Sequence, residues 1–233
     1  MKKMFCISIV AAVAVSPLPA HAQGVGIAFH VGTLGVGADI AASFGSRIAL
    51  RSGFNFFPTD IDARVSGVPY QIDFASPTFT AMLDLYLLGP LHVSGGAIYT
   101  TDDIVLAGEI TGPVPINGTD YSPAEIGRLT GTIVTNELSP YAGIGLGNPG
   151  RSKFGFFLDL GVAFHGTPAF TLEAVGGSAN TLLQFQSDLA AEEQSLQDDL
   201  SKITVYPVAT IGFSIGLGGQ RRQRRRERAP ERR

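Results

Sequence analysis

From Phe154 to His165 the chain alternates strictly. Phe154, Phe156, Leu158, Leu160, Val162 and Phe164 fall on one face of an extended strand. Gly155, Phe157, Asp159, Gly161, Ala163 and His165 fall on the other. A period of two residues marks a β-strand, because successive side chains point to opposite faces. The stretch from Ala209 to Leu217 repeats the pattern, with Ala209, Ile211, Phe213, Ile215 and Leu217 against Thr210, Gly212, Ser214 and Gly216. A strand of about ten residues tilted by ~45° crosses the hydrocarbon core of a bilayer. Both segments reach that length.

The two faces differ in a way that fixes their direction. A soluble barrel with a dry interior keeps its large side chains inside and turns its charges to water. Here one face carries Phe, Leu, Ile and Val, and the other carries Gly, Ala and Ser with a few charges. A narrow lumen of small and polar groups, with bulky apolar groups facing lipid, accounts for both. Composition agrees. Charged residues make up 16% of the chain, against about 25% in a soluble domain, and mean hydropathy is positive. Yet no run after residue 22 approaches the ~20 consecutive apolar residues of a spanning helix.

Six further segments read as strands: Gly24 to Gly32, Gly35 to Phe44, Arg47 to Phe56, Thr78 to Leu88, Leu91 to Thr100 and Leu138 to Gly147. With the first two they make eight, an even number, as single-chain bacterial barrels require. The expected fold is all-β, an eight-stranded antiparallel up-and-down transmembrane β-barrel. Short connections at Gly45-Ser46, Gly89-Pro90 and Asn148 to Lys153 alternate with long ones over 57–77, 101–137 and 166–203. Short periplasmic turns opposite longer outer loops are the rule for such barrels; the turn at Gly32-Thr33-Leu34 breaks it. Residues 181–202 change period to about 3.6, with Leu182, Phe185, Leu189, Leu196 and Leu200 among Gln, Asp and Glu. That predicts a short amphipathic helix in the last extracellular loop.

The termini need separate explanations. Lys2 and Lys3, the apolar run from Met4 to Val15, the breakers Pro17 and Pro19, and Ala20-His21-Ala22 together read as a signal peptide over 1–22, cleaved before Gln23. The single cysteine, Cys6, lies inside it, so the mature chain is expected to hold no disulfide. The barrel then occupies 23–219. Residues 220–233 hold eight Arg and two Glu and read as a disordered Arg-rich tail. An exported chain does not meet nucleic acid. With an even strand count both ends emerge in the periplasm, where the tail would face anionic headgroups or cell-wall polymer.

LSPYAGIGLGNP over 138–149, followed by GFFLDLGVAFHGTP over 155–168, resembles the matching strands of the CarO family of small outer-membrane barrels associated with carbapenem susceptibility. VGTLGVGADIA over 31–41, and the acidic helix leading into VYPVATIGFSIGL, are similar to that family too. The resemblance covers residues 24–217. It implies an eight-stranded barrel with sizeable outer loops and uptake of small amino acids, basic ones such as ornithine in particular. It transfers no binding residues. Barrels of this type end on an aromatic residue that the assembly machinery recognises. Here Thr210, Gly212, Ile215 and Leu217 fit that terminal pattern, but Leu217 stands where the aromatic is expected and sixteen residues follow it.

Inward positions include Asp39, Arg47, Arg51, Asp84, Tyr141, Asp159 and Tyr206. Charges in a low-dielectric interior must be paired or reached by water. These residues therefore form either a structural ion-pair network or a polar solute path, and an eight-stranded interior is only just wide enough for its own side chains. The long loops are acidic, through Asp102, Asp103, Glu109, Asp120, Glu192 and Glu193. Such a mouth would gather cations and repel anions, an effect that fades with salt; equally, it could keep the loops soluble or hold divalent cations beside lipopolysaccharide. His30, His92 and His165 are scattered singly, and no HExxH or phosphate-binding loop is present. No catalysis, cofactor or metal is expected. The function expected is entry of small, cationic hydrophilic solutes. The rival is a non-conducting structural or adhesive barrel whose loops bind a surface partner.

Overall fold

A computed structural model describes residues 24–57, 61–65, 68–73, 77–100, 103–108, 110–149 and 153–218. Eight long strands form the wall: β1 (Gly24–Gly32), β2 (Gly35–Phe44), β3 (Ile48–Phe56), β6 (Thr78–Leu88), β7 (Leu91–Thr100), β12 (Leu138–Leu146), β13 (Phe154–Ala163) and β15 (Tyr206–Gly218). They close as a barrel in the order β1-β15-β13-β12-β7-β6-β3-β2, with every neighbouring pair antiparallel. The eight expected strands are therefore the eight found, with ends displaced by at most a few residues. Gly45 and Gly89 take positive φ of 64° and 56° in the tight turns after β2 and β6, a conformation that a side chain disfavours.

The expected direction of the faces holds. Phe156 is 73% exposed while its neighbour Phe157 is 2% exposed. Phe29, Phe54, Leu83, Ile144, Leu160 and Phe213 also face outward, whereas Ala28, Ala41, Ala49 and Ser214 face in. A continuous band of large apolar side chains around the whole wall far exceeds the few hundred Å² of apolar patch that a soluble monomer tolerates. Lipid is the solvent that suits it.

The long connections are not plain loops. They hold β4 (Ile61–Val65), β5 (Val68–Asp73), β8 (Ile104–Gly108), β9 (Val114–Ile116), β10 (Thr119–Tyr121), α1 (Pro123–Ile126), β11 (Gly127–Val134), β14 (Ala169–Gly176) and α2 (Leu183–Leu200). Five of these strands form a second sheet in the order β14-β11-β8-β5-β4. Each follows or precedes a wall strand, and their order copies that of β13-β12-β7-β6-β3. The cap sheet is thus one side of the barrel wall continued beyond the span, while the β1–β2 side stops at the tight turn Thr33-Leu34.

The cap has a core of its own. Val114, Ile116, Tyr121, Ile126, Leu129, Phe170, Leu172 and Phe185 are buried together, with Leu189, Leu196 and Leu200 of α2 packed against them. The predicted helix is real, and 18 residues long. It also closes an open sheet edge, because Phe170 N–H donates to Gln197 Oε1 and Leu172 N–H to Glu193 Oε2. Unpaired edge groups invite pairing with other chains, and here helix side chains take the place of a further strand. The expected signal peptide over 1–22 and the expected tail over 220–233 lie outside the described residues.

Candidate functional site

The pleat directs even-numbered residues of β1, β6, β7 and β15 and odd-numbered ones of β2, β3, β12 and β13 into the lumen. Four of the expected polar residues meet there around one guanidinium. Arg51 Nη1 donates to Asp159 Oδ2 at 2.6 Å, and Nη2 donates to Asp84 Oδ1 at 3.1 Å. Its Nε lies 2.7 Å from Asp84 Oδ2, and Asp39 Oδ2 stands 3.9 Å from Nη1. Phe157 presents its ring 5.9 Å from the guanidinium carbon. Among the residues whose side chains are described, Arg51 is the only buried Lys or Arg.

The network reaches further than the expected set. Ser94 Oγ donates to Asp84 Oδ1 at 2.7 Å, and His92 Nε2 lies 3.0 Å from Asp159 Oδ1. His30 Nε2 lies 3.4 Å from Asp39 Oδ1. His92 and Ser94 share the parity of the lumen face, and parity alone places them there. Only their partners, on β13 two strands away and on the adjacent β6, are invisible in a single strand's pattern.

Glycine makes the room. A Cβ on Gly145 would collide with Asp159 Oδ1 and His92 Nε2, and one on Gly53 would collide with Asp39 Oδ1. Gly143 and Gly161 likewise leave space for the Tyr141 hydroxyl. The high glycine content of the inner face is therefore a consequence of packing long polar side chains into a barrel with no spare width. Gly145→Val is expected to lower unfolding free energy by about 1–3 kcal/mol, the usual cost of overpacking, read from urea unfolding in lipid vesicles. No change would mean that the carboxylate and imidazole are free to move aside.

Above this polar layer, toward the loop end, lies an apolar one. Met82, Ile98, Tyr141, Ala163 and Val208 are buried together, with Leu34 from the β1–β2 turn packed onto them. Tyr141 thus belongs to the lumen but to its apolar plug, not to the ion cluster. Every one of the eight wall strands contributes a buried inward side chain. The two layers stack across the barrel interior.

Two expected lumen residues are elsewhere. Arg47 is exposed in the β2–β3 turn, one residue before β3 begins. Tyr206 has inward parity but sits at the first position of β15, 40% exposed, and its hydroxyl donates to the Thr33 carbonyl at 2.7 Å. A strand end one or two residues off is enough to move a charge from lumen to rim.

The acidic mouth also divides. Asp103 and Asp120 are exposed, while Asp102 and Glu109 lie outside the described residues. Glu192 and Glu193 are structural: Glu192 accepts from the Asn117 N–H at 2.9 Å, and Glu193 covers the β14 edge. A buried carboxylate of the cap, Asp188, accepts from the Tyr121 hydroxyl at 2.6 Å and from the Asn117 amide at 3.1 Å. The Tyr121 hydrogen bond, then those of Asn117 and Gln184, holds the Asp188 carboxyl below the usual carboxylate range. The same bond, helped by burial, pushes the Tyr121 hydroxyl up to about 12 from an ordinary 10. A raised phenol stabilises the fold fully below its ordinary value and loses that contribution as pH climbs through the raised one. Cap near-ultraviolet circular dichroism should therefore collapse between about pH 10 and 12. Tyr121→Phe should move that transition.

No protein-family model matches the chain, and no curated protein matches it in sequence. Its structure is similar to that of CarO from Acinetobacter baumannii, with a TM-score of 0.54 and 23% identity over 82% of this chain and 97% of that one. It is similar as well to CarO2 from the same organism, with a TM-score of 0.56 and 22% identity over 83% and 98%. The resemblance read from residues 138–168 is thus met in three dimensions. At this identity the likeness establishes the fold, a closed eight-stranded barrel of outer-membrane type.

Proposed function

We propose that the chain is an outer-membrane barrel that admits small cationic solutes through a closed, gated lumen rather than an open pore. One observation carries this reading: three carboxylates, Asp39, Asp84 and Asp159, surround a single guanidinium deep in the lumen. Surplus buried carboxylate is costly when unpaired, and the ammonium or guanidinium of a basic solute is the group that relieves it. The likeness to barrels named CarO supports the outer-membrane barrel on which this reading rests. Passage requires Arg51 to leave Asp84 and Asp159 and the Leu34–Tyr141 layer to part. Flux is then slow and saturable, unlike diffusion through a wide pore.

Liposomes holding the purified protein test this. Ornithine or lysine should enter faster than into protein-free vesicles, glutamate should not, and the difference should shrink with salt as surface attraction is screened. Equal rates with and without protein sink the proposal.

The folded cap favours a second reading, a non-conducting barrel that displays the cap to a surface partner. A separate core and a covered sheet edge are more than a connecting loop needs. Sealed liposomes, together with specific retention of an envelope component by the cap, would support it. Neither reading is enzymatic; His92 and His30 each face a lumen aspartate. During assembly, Thr210, Gly212, Ile215 and Leu217 of the closing strand β15 would be read by the insertion machinery, with lipid and lipopolysaccharide as later neighbours.

A further inference from the structure

The three lumen carboxylates are not equally engaged by the one guanidinium. Asp84 and Asp159 each lie within hydrogen-bond reach of Arg51 and have a second partner, Ser94 and His92 respectively. Asp39 stands 3.9 Å from Arg51 Nη1 and 3.4 Å from His30 Nε2. It is the carboxylate that Arg51 holds most loosely. Register sets its height. Below the Thr33-Leu34 turn the inward positions of β2 run Gly37, Asp39 and Ala41, spaced by about 6.6 Å. Gly37 pairs with His30 and with Asn55, and Ala41 pairs with Arg51. From the cap end the order on this flank is therefore His30 with Asn55, then Asp39, then Arg51. The plug residues Met82, Ile98, Tyr141, Ala163 and Val208 all belong to other strands, so β1 to β3 leave a polar flank beside them.

That flank is incomplete as it stands. Asn55 is 2% exposed and the His30 side chain 5%. Neither Asn55 Nδ2 nor His30 Nε2 finds a hydrogen-bond partner among the described residues. Buried donors in that state are rare, because nothing replaces the water they give up. The two side chains meet over Gly37, where a Cβ would strike both, and His30 Nε2 is turned toward Asp39. We propose that Asp39, with His30 and Asn55 above it, seats the ammonium group of an entering solute before Arg51 gives way, and so selects cations. The inference rests on the lumen reading and names its selective residue. An ammonium carries three donors, which a carboxylate and the Asn55 amide oxygen can share. The amide and imidazole N–H groups then meet oxygens of the solute or of its water. Asp84 and Asp159 are left to hold Arg51.

The test measures entry of lysine and of glutamine, a neutral solute of similar size, into liposomes holding the full chain. D39N should lower lysine entry below saturation about tenfold, the scale of one charge-assisted contact, and leave glutamine entry unchanged. Its urea midpoint should stay near that of the wild type, whereas D159N, which strips Arg51 of its shortest partner, should lower the midpoint. N55A should reduce lysine entry several-fold and spare glutamine too. Heat-modifiability on gels confirms that each variant folds. Lysine entry through D39N at the wild-type rate overturns the proposal, and so does an equal loss of lysine and glutamine entry. Should D39N fail to fold, N55A decides on the same two criteria. Absence of lysine entry in the wild type defeats the lumen reading and this one with it; wild-type entry that D39N keeps defeats this one alone.

Discussion

Arg51→Ala is expected to lower the unfolding free energy of the barrel by about 3–5 kcal/mol, the cost of removing one partner from a buried ion pair. The wild-type guanidinium is held by Asp159 at 2.6 Å and by both oxygens of Asp84. Its removal leaves three carboxylates in a lumen from which Asp84 has no exposure at all. Protonation or entry of water must then neutralise them. R51A/D84N/D159N should recover much of the loss, because amides carry no charge to leave unpaired. Urea unfolding in vesicles, with the gel-mobility shift on heating as a second readout, measures both. A loss below about 1 kcal/mol, the range of solvated surface pairs, would mean that water already reaches the cluster. Flux separates the two roles of Arg51: a gate residue should raise lysine entry when removed, whereas a purely structural one should change stability alone.

The barrel was legible because lipid demands it. A wall strand must show bulky residues to hydrocarbon at every second position over about ten residues, and that signal survives in Phe154–Phe164 and Ala209–Leu217 without any partner information. The cap strands alternate too, as Leu129, Gly131 and Ile133 of β11 and Phe170, Leu172 and Ala174 of β14 illustrate. They are shorter than a span, however, and their pairing is long-range, so the pattern merged into the polar loops around it. The helix was visible from its change of period. Its purpose was not, because covering the edge of β14 depends on Glu193 and Gln197 meeting backbone groups more than twenty residues away. The lumen cluster was half legible. Parity alone brought Asp39, Arg51, Asp84 and Asp159 to one interior, but parity says nothing of height along the barrel. Hence alternation puts Arg47 and Tyr206 inside although each sits at a rim, and groups Tyr141 with the ions instead of the apolar plug.

Phe185→Ala should unfasten the cap while leaving the barrel closed. Phe185 is 1% exposed and meets the Tyr121 ring edge-on with centroids 4.9 Å apart. Truncating a buried phenylalanine costs about 3–5 kcal/mol. An 18-residue helix has little stability of its own in water, so it holds its place through this side chain and the leucines behind it. When α2 lifts, Phe170 and Leu172 lose the acceptors for their edge N–H groups, and the β14 side of the cap sheet loosens with it. The wall strands share none of these contacts: their hydrogen bonds run around a closed ring, and their interior is packed separately. Beyond cleavage in the Arg-rich C-terminal segment, limited tryptic digestion of the variant should therefore add cuts near Arg128 and Lys202, while the remaining barrel keeps its heat-modifiable mobility. Simultaneous loss of cap and barrel would show instead that the continued wall folds as one cooperative unit, in which case the cap is a rigid extension of the span rather than a separable module.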